Sequence, residues 1–349
     1  MISSFSTMGQ LQRTMTITIA PTTGQWIAVG NGSLITTSSD GSSWTDVTTQ
    51  GGTTGGIITS GRGVAYGKDN LGGNLWVVVG QGNIIAKSQD GINWIQAGNV
   101  GGLTTQGAGV AYGTDGLGAG LWVAVGGGGL IAKSSDGNIW TTAGSKGGIT
   151  TNGQGVAYGK DGAGQGLWVA VGGGSFIAKS SDGNNWSSTG TKGGITIQGQ
   201  GVAYGKDGTG TGLWVAVGGG SIIAKSTDGN LWSSAVSTGG ITSGRGVAYG
   251  KDGTGAGLWV IVGSGSLIAT SSDGNTWTSV AAQGGSTGGI TTTGYGVAYG
   301  KDSTGAGLWV VVGQSSSGAT IVTSSTGNNY TGVSNGGITS SGLAVAFKP

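Results

Sequence analysis

Apolar residues in this chain come in short runs of at most five, each bounded by glycine or polar residues. One unit, Gly201 to Trp232, shows the pattern: GVAYGKDGTGTGLWVAVGGGSIIAKSTDGNLW. It contains four strand candidates: Val202-Ala203-Tyr204, Leu213 to Val217, Ile222 to Lys225, and a fourth from about Leu231 to Ala235. Each is rich in β-branched or aromatic residues and ends at Gly or Asp-Gly. No stretch has the 3.6-residue apolar period of an amphipathic helix. Leu213-Trp214-Val215-Ala216-Val217 is apolar at every position, which predicts a strand covered on both faces. Gly201, Ala203 and Gly205 make the first strand narrow, as expected where several sheets crowd together.

Versions of the unit recur seven times. Trp26, Trp76, Trp122, Trp168, Trp214, Trp259 and Trp309 mark the second strand, at spacings of 50, 46, 46, 46, 45 and 50. A second aromatic series follows: Trp44, Trp94, Trp140, Trp186, Trp232, Trp277 and Tyr330. A fixed period in the forties with four strands per unit predicts an all-β fold, a seven-bladed β-propeller of four-stranded blades. Residues 1–13 read as a polar lead and residues 14–349 as a single propeller with a period of about 46.

The two ends decide how the ring closes. Gly336 to Phe347 aligns without a gap onto Gly147 to Tyr158, so the chain finishes on a first strand that lacks its own blade. Thr16-Ile17-Thr18-Ile19 precedes the second strand at Trp26, giving eight first-strand candidates for seven blades. Closure by terminal strands, with Leu343–Phe347 as the inner strand of blade 1, removes the open edges. The N-terminal strand is then left to contact a partner. The reverse assignment donates the C-terminal strand to another subunit.

Composition narrows the function classes. The chain has 84 Gly but only 2 Pro and no Gly-X-Y period, which excludes collagen. Its apolar runs, at 36% hydrophobic residues, exclude a disordered tract. A net charge of +2 without a long basic run gives no footprint for nucleic acid. There is no Cys and no His, and all 13 acidic residues are Asp, so no disulfide, Cys/His metal site or cofactor is expected. The start has no basic region followed by an apolar core, so no signal peptide is expected, and no run approaches the ~20 residues of a membrane span.

The turn between third and fourth strands reads Ser38-Ser39-Asp40-Gly41-Ser42-Ser43-Trp44 and recurs six times, decaying to Ser324–Tyr330 in the last copy. It resembles the Asp-box (BNR) turn of sialidase-type and photosystem II assembly-factor-type propellers, the second group more closely. The likeness covers nearly the whole chain at the level of the repeat, with a turn one residue shorter than the commonest form. It implies structural roles for Asp40, Asp90, Asp136, Asp182, Asp228 and Asp273, and for Trp44, Trp94, Trp140, Trp186, Trp232 and Trp277. In such a turn the carboxylate accepts backbone N–H groups, Gly supplies a positive φ and Trp packs beneath. A calcium role is poorly served, since each turn offers one carboxylate and Ca²⁺ takes 6–8 oxygens.

An enzyme is not expected. Sialidase-like catalysis would require an Arg cluster, a Tyr nucleophile and a Glu, and the chain has three Arg and no Glu. Twelve of the 13 Asp repeat once per blade in one of two turns, leaving Asp46 unique, and a catalytic pair needs unlike surroundings. The 13 Trp fall at regular core positions rather than as sugar platforms. Lys-Asp pairs such as Lys206-Asp207 read as solvated turn charges.

Variation within the copied unit is the better guide to binding. Arg62, Ala108, Gln154, Gln200, Arg245, Tyr295 and Leu343 occupy one repeat position, just before the inner strand, and should ring the axial opening. Of these, Arg62, Gln154, Gln200, Arg245 and Tyr295 are the candidate binding residues; a tolerant channel rim is the plainer alternative. The reading that results is a non-enzymatic structural or recognition propeller, a component of a virion or other extracellular surface assembly. Its partners would be other proteins of the assembly or surface glycans. A multivalent lectin-like binder and an assembly factor are the alternatives.

Overall fold

The computed structural model describes residues 24–32, 34–47, 60–103, 105–174, 176–265, 267–316 and 320–349. These form seven sheets, six antiparallel sheets of four strands and one mixed sheet of five. Blade 5 is representative: Gly199–Lys206 innermost, then Gly212–Gly218, Ile222–Ser226 and Ser233–Ser234. The inner strand starts two residues before Gly201, and the outer strand is shorter than its apolar pattern suggests. Leu231 belongs to the preceding turn, where its N–H donates to Asp228, and its side chain is 59% exposed.

Blades stack because the second strand is apolar on both faces. Trp214 and Ala216 pack with Leu167, Val169 and Val171 of blade 4, whereas Leu213, Val215 and Val217 pack with Trp259 and Ile261 of blade 6. The same division repeats around the ring, so the core consists of seven clusters, each shared by two neighbouring blades. Each cluster carries a polar pin: Trp214 Nε1 donates to the Lys160 carbonyl of the preceding blade at 2.8 Å. A side chain on Gly205 would collide with the Tyr249 ring of the next blade, which accounts for the narrow inner strand.

The C-terminal strand Gly342–Lys348 closes the ring, pairing with Gln25–Gly30 to give blade 1 the order inner strand from the C-terminus, then three strands from the N-terminal end. Phe347 lies 4.6 Å from Trp26, in the relation Tyr204 has to Trp214. The earlier strand candidate Thr16–Ile19 and the lead at 1–13 lie outside the described residues. Blade 7 departs from the repeat. The connection leading to it forms a short 3-10 turn at Ala281–Gln283, and Ser286–Thr287 then adds a fifth, parallel strand beside Asn329–Gly332. No helix among the described residues is long and apolar enough to cross a membrane.

Candidate functional site

Two ends of the propeller carry different chemistry. The Asp-box turns and the loops joining first to second strands share one end; Gly162 of one such loop sits beside Asp228 of the next blade. The loops between second and third strands share the other end with the start of each inner strand, as the Gly173–Gln198 bridge shows.

At the first end the carboxylates are occupied by their own turns. Asp228 Oδ1 accepts from Asn230 N, Leu231 N and Ser226 Oγ, each at 2.8 Å. Gly229 takes a φ of 69°, and Trp232 Nε1 donates to the Gly229 carbonyl at 3.1 Å beneath the turn. The Asp of the other loop does similar work: Asp207 Oδ1 accepts from Thr209 N and Thr211 N. In blade 7 Thr326 stands where the box Asp would be. Tyr330 replaces the Trp, and among the described residues its buried hydroxyl has no partner.

Desolvation by burial raises the box carboxyls. The hydrogen bonds from backbone and side chains outweigh it, so Asp90 and Asp182 are held down at about 2 against an ordinary 3.8. A depressed carboxyl stabilises the fold above its unfolded value, and that contribution disappears as pH falls through the folded one. The thermal midpoint is therefore expected to fall between pH 3.8 and 2, and to fall less steeply over that window in D90N/D182N. Near-UV circular dichroism on both chains checks this. Equal slopes would show that these boxes do not set the acid response.

At the second end the inner strands share a feature that strand patterning does not reveal. Each pairs with its second strand through a register shift that leaves one residue unopposed, as between Gly199 and Gly201. At the shift common to all seven blades the unopposed residues are Arg62, Ala108, Gln154, Gln200, Arg245, Tyr295 and Leu343; blade 6 has a second shift, at Thr242. Such a bulge re-aims a side chain out of the sheet. All seven line one cavity of about 160 Å³ at the axial mouth. They thus lie within the inner strands rather than ahead of them.

The small flanking residues explain why this position is free to vary. A Cβ on Gly199 would sit 2.6 Å from Val171 Cβ of the preceding blade. One on Gly201 would sit 2.7 Å from the Arg245 carbonyl of the next. Both contacts are closer than real side chains tolerate, so packing fixes the residues on either side and leaves the middle one free. Within the ring, the Arg245 guanidinium lies 5.3 Å from the Tyr295 ring centroid, and Gln200 Nε2 donates to Ser243 Oγ at 3.1 Å.

Composition within blades 2 and 3 departs from the repeat in a second way that sequence reasoning passed over. Leu71 and Leu117 are 90% and 96% exposed at loop positions that hold Ala163, Thr209, Thr254 and Thr304 elsewhere. Ile92, Ile95 and Ile139 are also exposed, and a cleft of about 480 Å³ lies between the two Asp-box turns. Aligning the copies column by column was the signal that would have found them.

No family model matches the sequence, and no curated protein matches it. Among solved structures, a GH74 enzyme of Niastella koreensis aligns with 73% of this chain at 17% identity and a TM-score of 0.47. The chain spans 38% of that enzyme's length. YCF48 bound to a D1 peptide aligns over 88% of this chain and 89% of its own, at 16% identity and a TM-score of 0.55. What is shared with YCF48 is the fold.

Proposed function

We propose that this chain is a non-enzymatic recognition propeller whose axial rim receives a segment of a protein partner. The observation that carries this is the ring of seven bulged positions, where an otherwise copied unit presents unlike side chains to one cavity. Repeated turns fix their residues by packing and hydrogen bonding, and the rim position is freed by its small neighbours. Two facts support this reading. YCF48, which has the same fold, is bound to a D1 peptide in its structure. The absence of Glu, His and Cys, with the box carboxylates committed to their turns, supports a non-catalytic role.

The Ser/Thr/Gly-rich, charge-poor composition suits an exposed component of a virion or other extracellular surface assembly. The multivalent lectin-like alternative would place equal sites on the copied loops, where avidity rather than one asymmetric site gives strength. Panning a random peptide library against the chain separates these readings, with the variant R62A/Q154A/R245A/Y295A run in parallel. A peptide consensus enriched by the natural chain and lost in the variant is the expected result. Binding on a glycan array together with no rim-dependent peptide would overturn it.

A further inference from the structure

The rim is unlike the rest of the molecule in its charge. Two of its seven residues are Arg62 and Arg245, and none is acidic. The twelve repeated Asp lie in the turns at the opposite end, with Asp228 and Asp207 representative of the two sets. Directly beneath the rim the channel is lined by an apolar collar with one valine from each inner strand, from Val64 to Val345. Low-polarity walls below two cations focus their field toward the mouth.

Both guanidiniums are available for an incoming group. Arg62 and Arg245 are exposed to the cavity, and Arg245 is braced on Tyr295 rather than by a carboxylate. A guanidinium carries five N–H donors in a fixed fork that matches an oxyanion. The Gln154 amide and the Tyr295 hydroxyl add neutral donors to the same ring. At about 160 Å³ the space holds roughly ten water positions, enough for one compact polyatomic anion with part of its hydration.

We propose that the axial rim is an oxyanion site, in which Arg62 and Arg245 together hold a single carboxylate or phosphate-like group. This rests on the recognition reading above and names the chemistry of its anchor. The anion comes either from an acidic side chain of the partner or from a free small oxyanion.

Isothermal titration calorimetry of the full chain at low salt tests it with three probes: sodium phosphate, acetyl-Gly-Glu-Gly-amide and acetyl-Gly-Gln-Gly-amide. One-to-one binding of phosphate or of the Glu peptide is expected, at least tenfold weaker in R62Q and in R245Q and lost in R62Q/R245Q. The Gln peptide should bind at least tenfold more weakly than the Glu peptide. R62K/R245K should keep measurable affinity. Binding by phosphate alone assigns the free ion, and tighter binding by the Glu peptide assigns a partner side chain. No heat with any probe, equal measurable affinity for the Glu and Gln peptides, or unchanged affinity in R62Q/R245Q would overturn the proposal. Near-UV circular dichroism establishes that each variant is folded. Selected library peptides that need the rim but contain no acidic group would sink the anion chemistry and leave recognition standing.

Discussion

Deleting Gly342–Pro349 should lower the thermal midpoint by more than about 15 °C or abolish the cooperative transition altogether. The strand makes six register pairs with Gln25–Gly30, places Val345 in the cluster between blades 7 and 1, and stacks Phe347 on Trp26. Burying Val345 and part of Phe347 contributes up to about 1.5–3 kcal/mol for each side chain, before the lost backbone pairing is counted. Together that approaches the whole stability of a typical domain, about 5–15 kcal/mol. The truncation would also leave Gln25–Gly30 as an edge strand apolar on both faces, a template for aggregation. Calorimetry and light scattering read both effects. A synthetic Gly342–Pro349 peptide added in excess should restore part of the transition by adding the missing strand. A midpoint within a few degrees of the full chain would mean that another strand completes blade 1.

Most of this architecture was legible because propeller blades share their cores. A second strand covered on both faces has to be apolar throughout, so Leu-Trp-Val-Ala-Val announces itself in every copy. Closure was legible for a related reason: Gly336–Phe347 aligns without a gap onto Gly147–Tyr158, which ends in an inner strand. The seven rim positions could be picked out by their variation alone. Their geometry could not, because a bulge is a property of pairing between two strands, and G-x-G reads equally well as a turn. Nor does the repeat foretell blade 7, where Ser286–Thr287 pairs in parallel with Asn329–Gly332. Trp76 shows a further local exception. Its Nε1 donates to Gln25 Oε1 at 3.0 Å, where the other blades use a backbone carbonyl. A side chain substitutes there because Gln25 holds the position that Leu fills in the other second strands.

Trp214→Ala should shift the denaturant midpoint strongly downward without a compensating change in slope. The indole is fully buried between blades 4 and 5, packs against Tyr204 at 5.0 Å, and donates to the Lys160 carbonyl. Truncating a buried Trp costs about 3–5 kcal/mol, and the orphaned carbonyl adds roughly 1–3 kcal/mol where water cannot reach it. The same substitution decides between two meanings of the tryptophan series. A sugar platform needs an exposed ring face, and Trp214 is 0% exposed, so its loss should act on folding and leave rim binding by the surviving folded fraction intact. The measurement is therefore made twice, as guanidinium unfolding and as affinity for the peptide consensus at a temperature where the variant is folded. An unchanged midpoint would remove Trp214 as the pin between blades. A stable variant that had lost its ligand would move the binding surface from the axis to the blade interface.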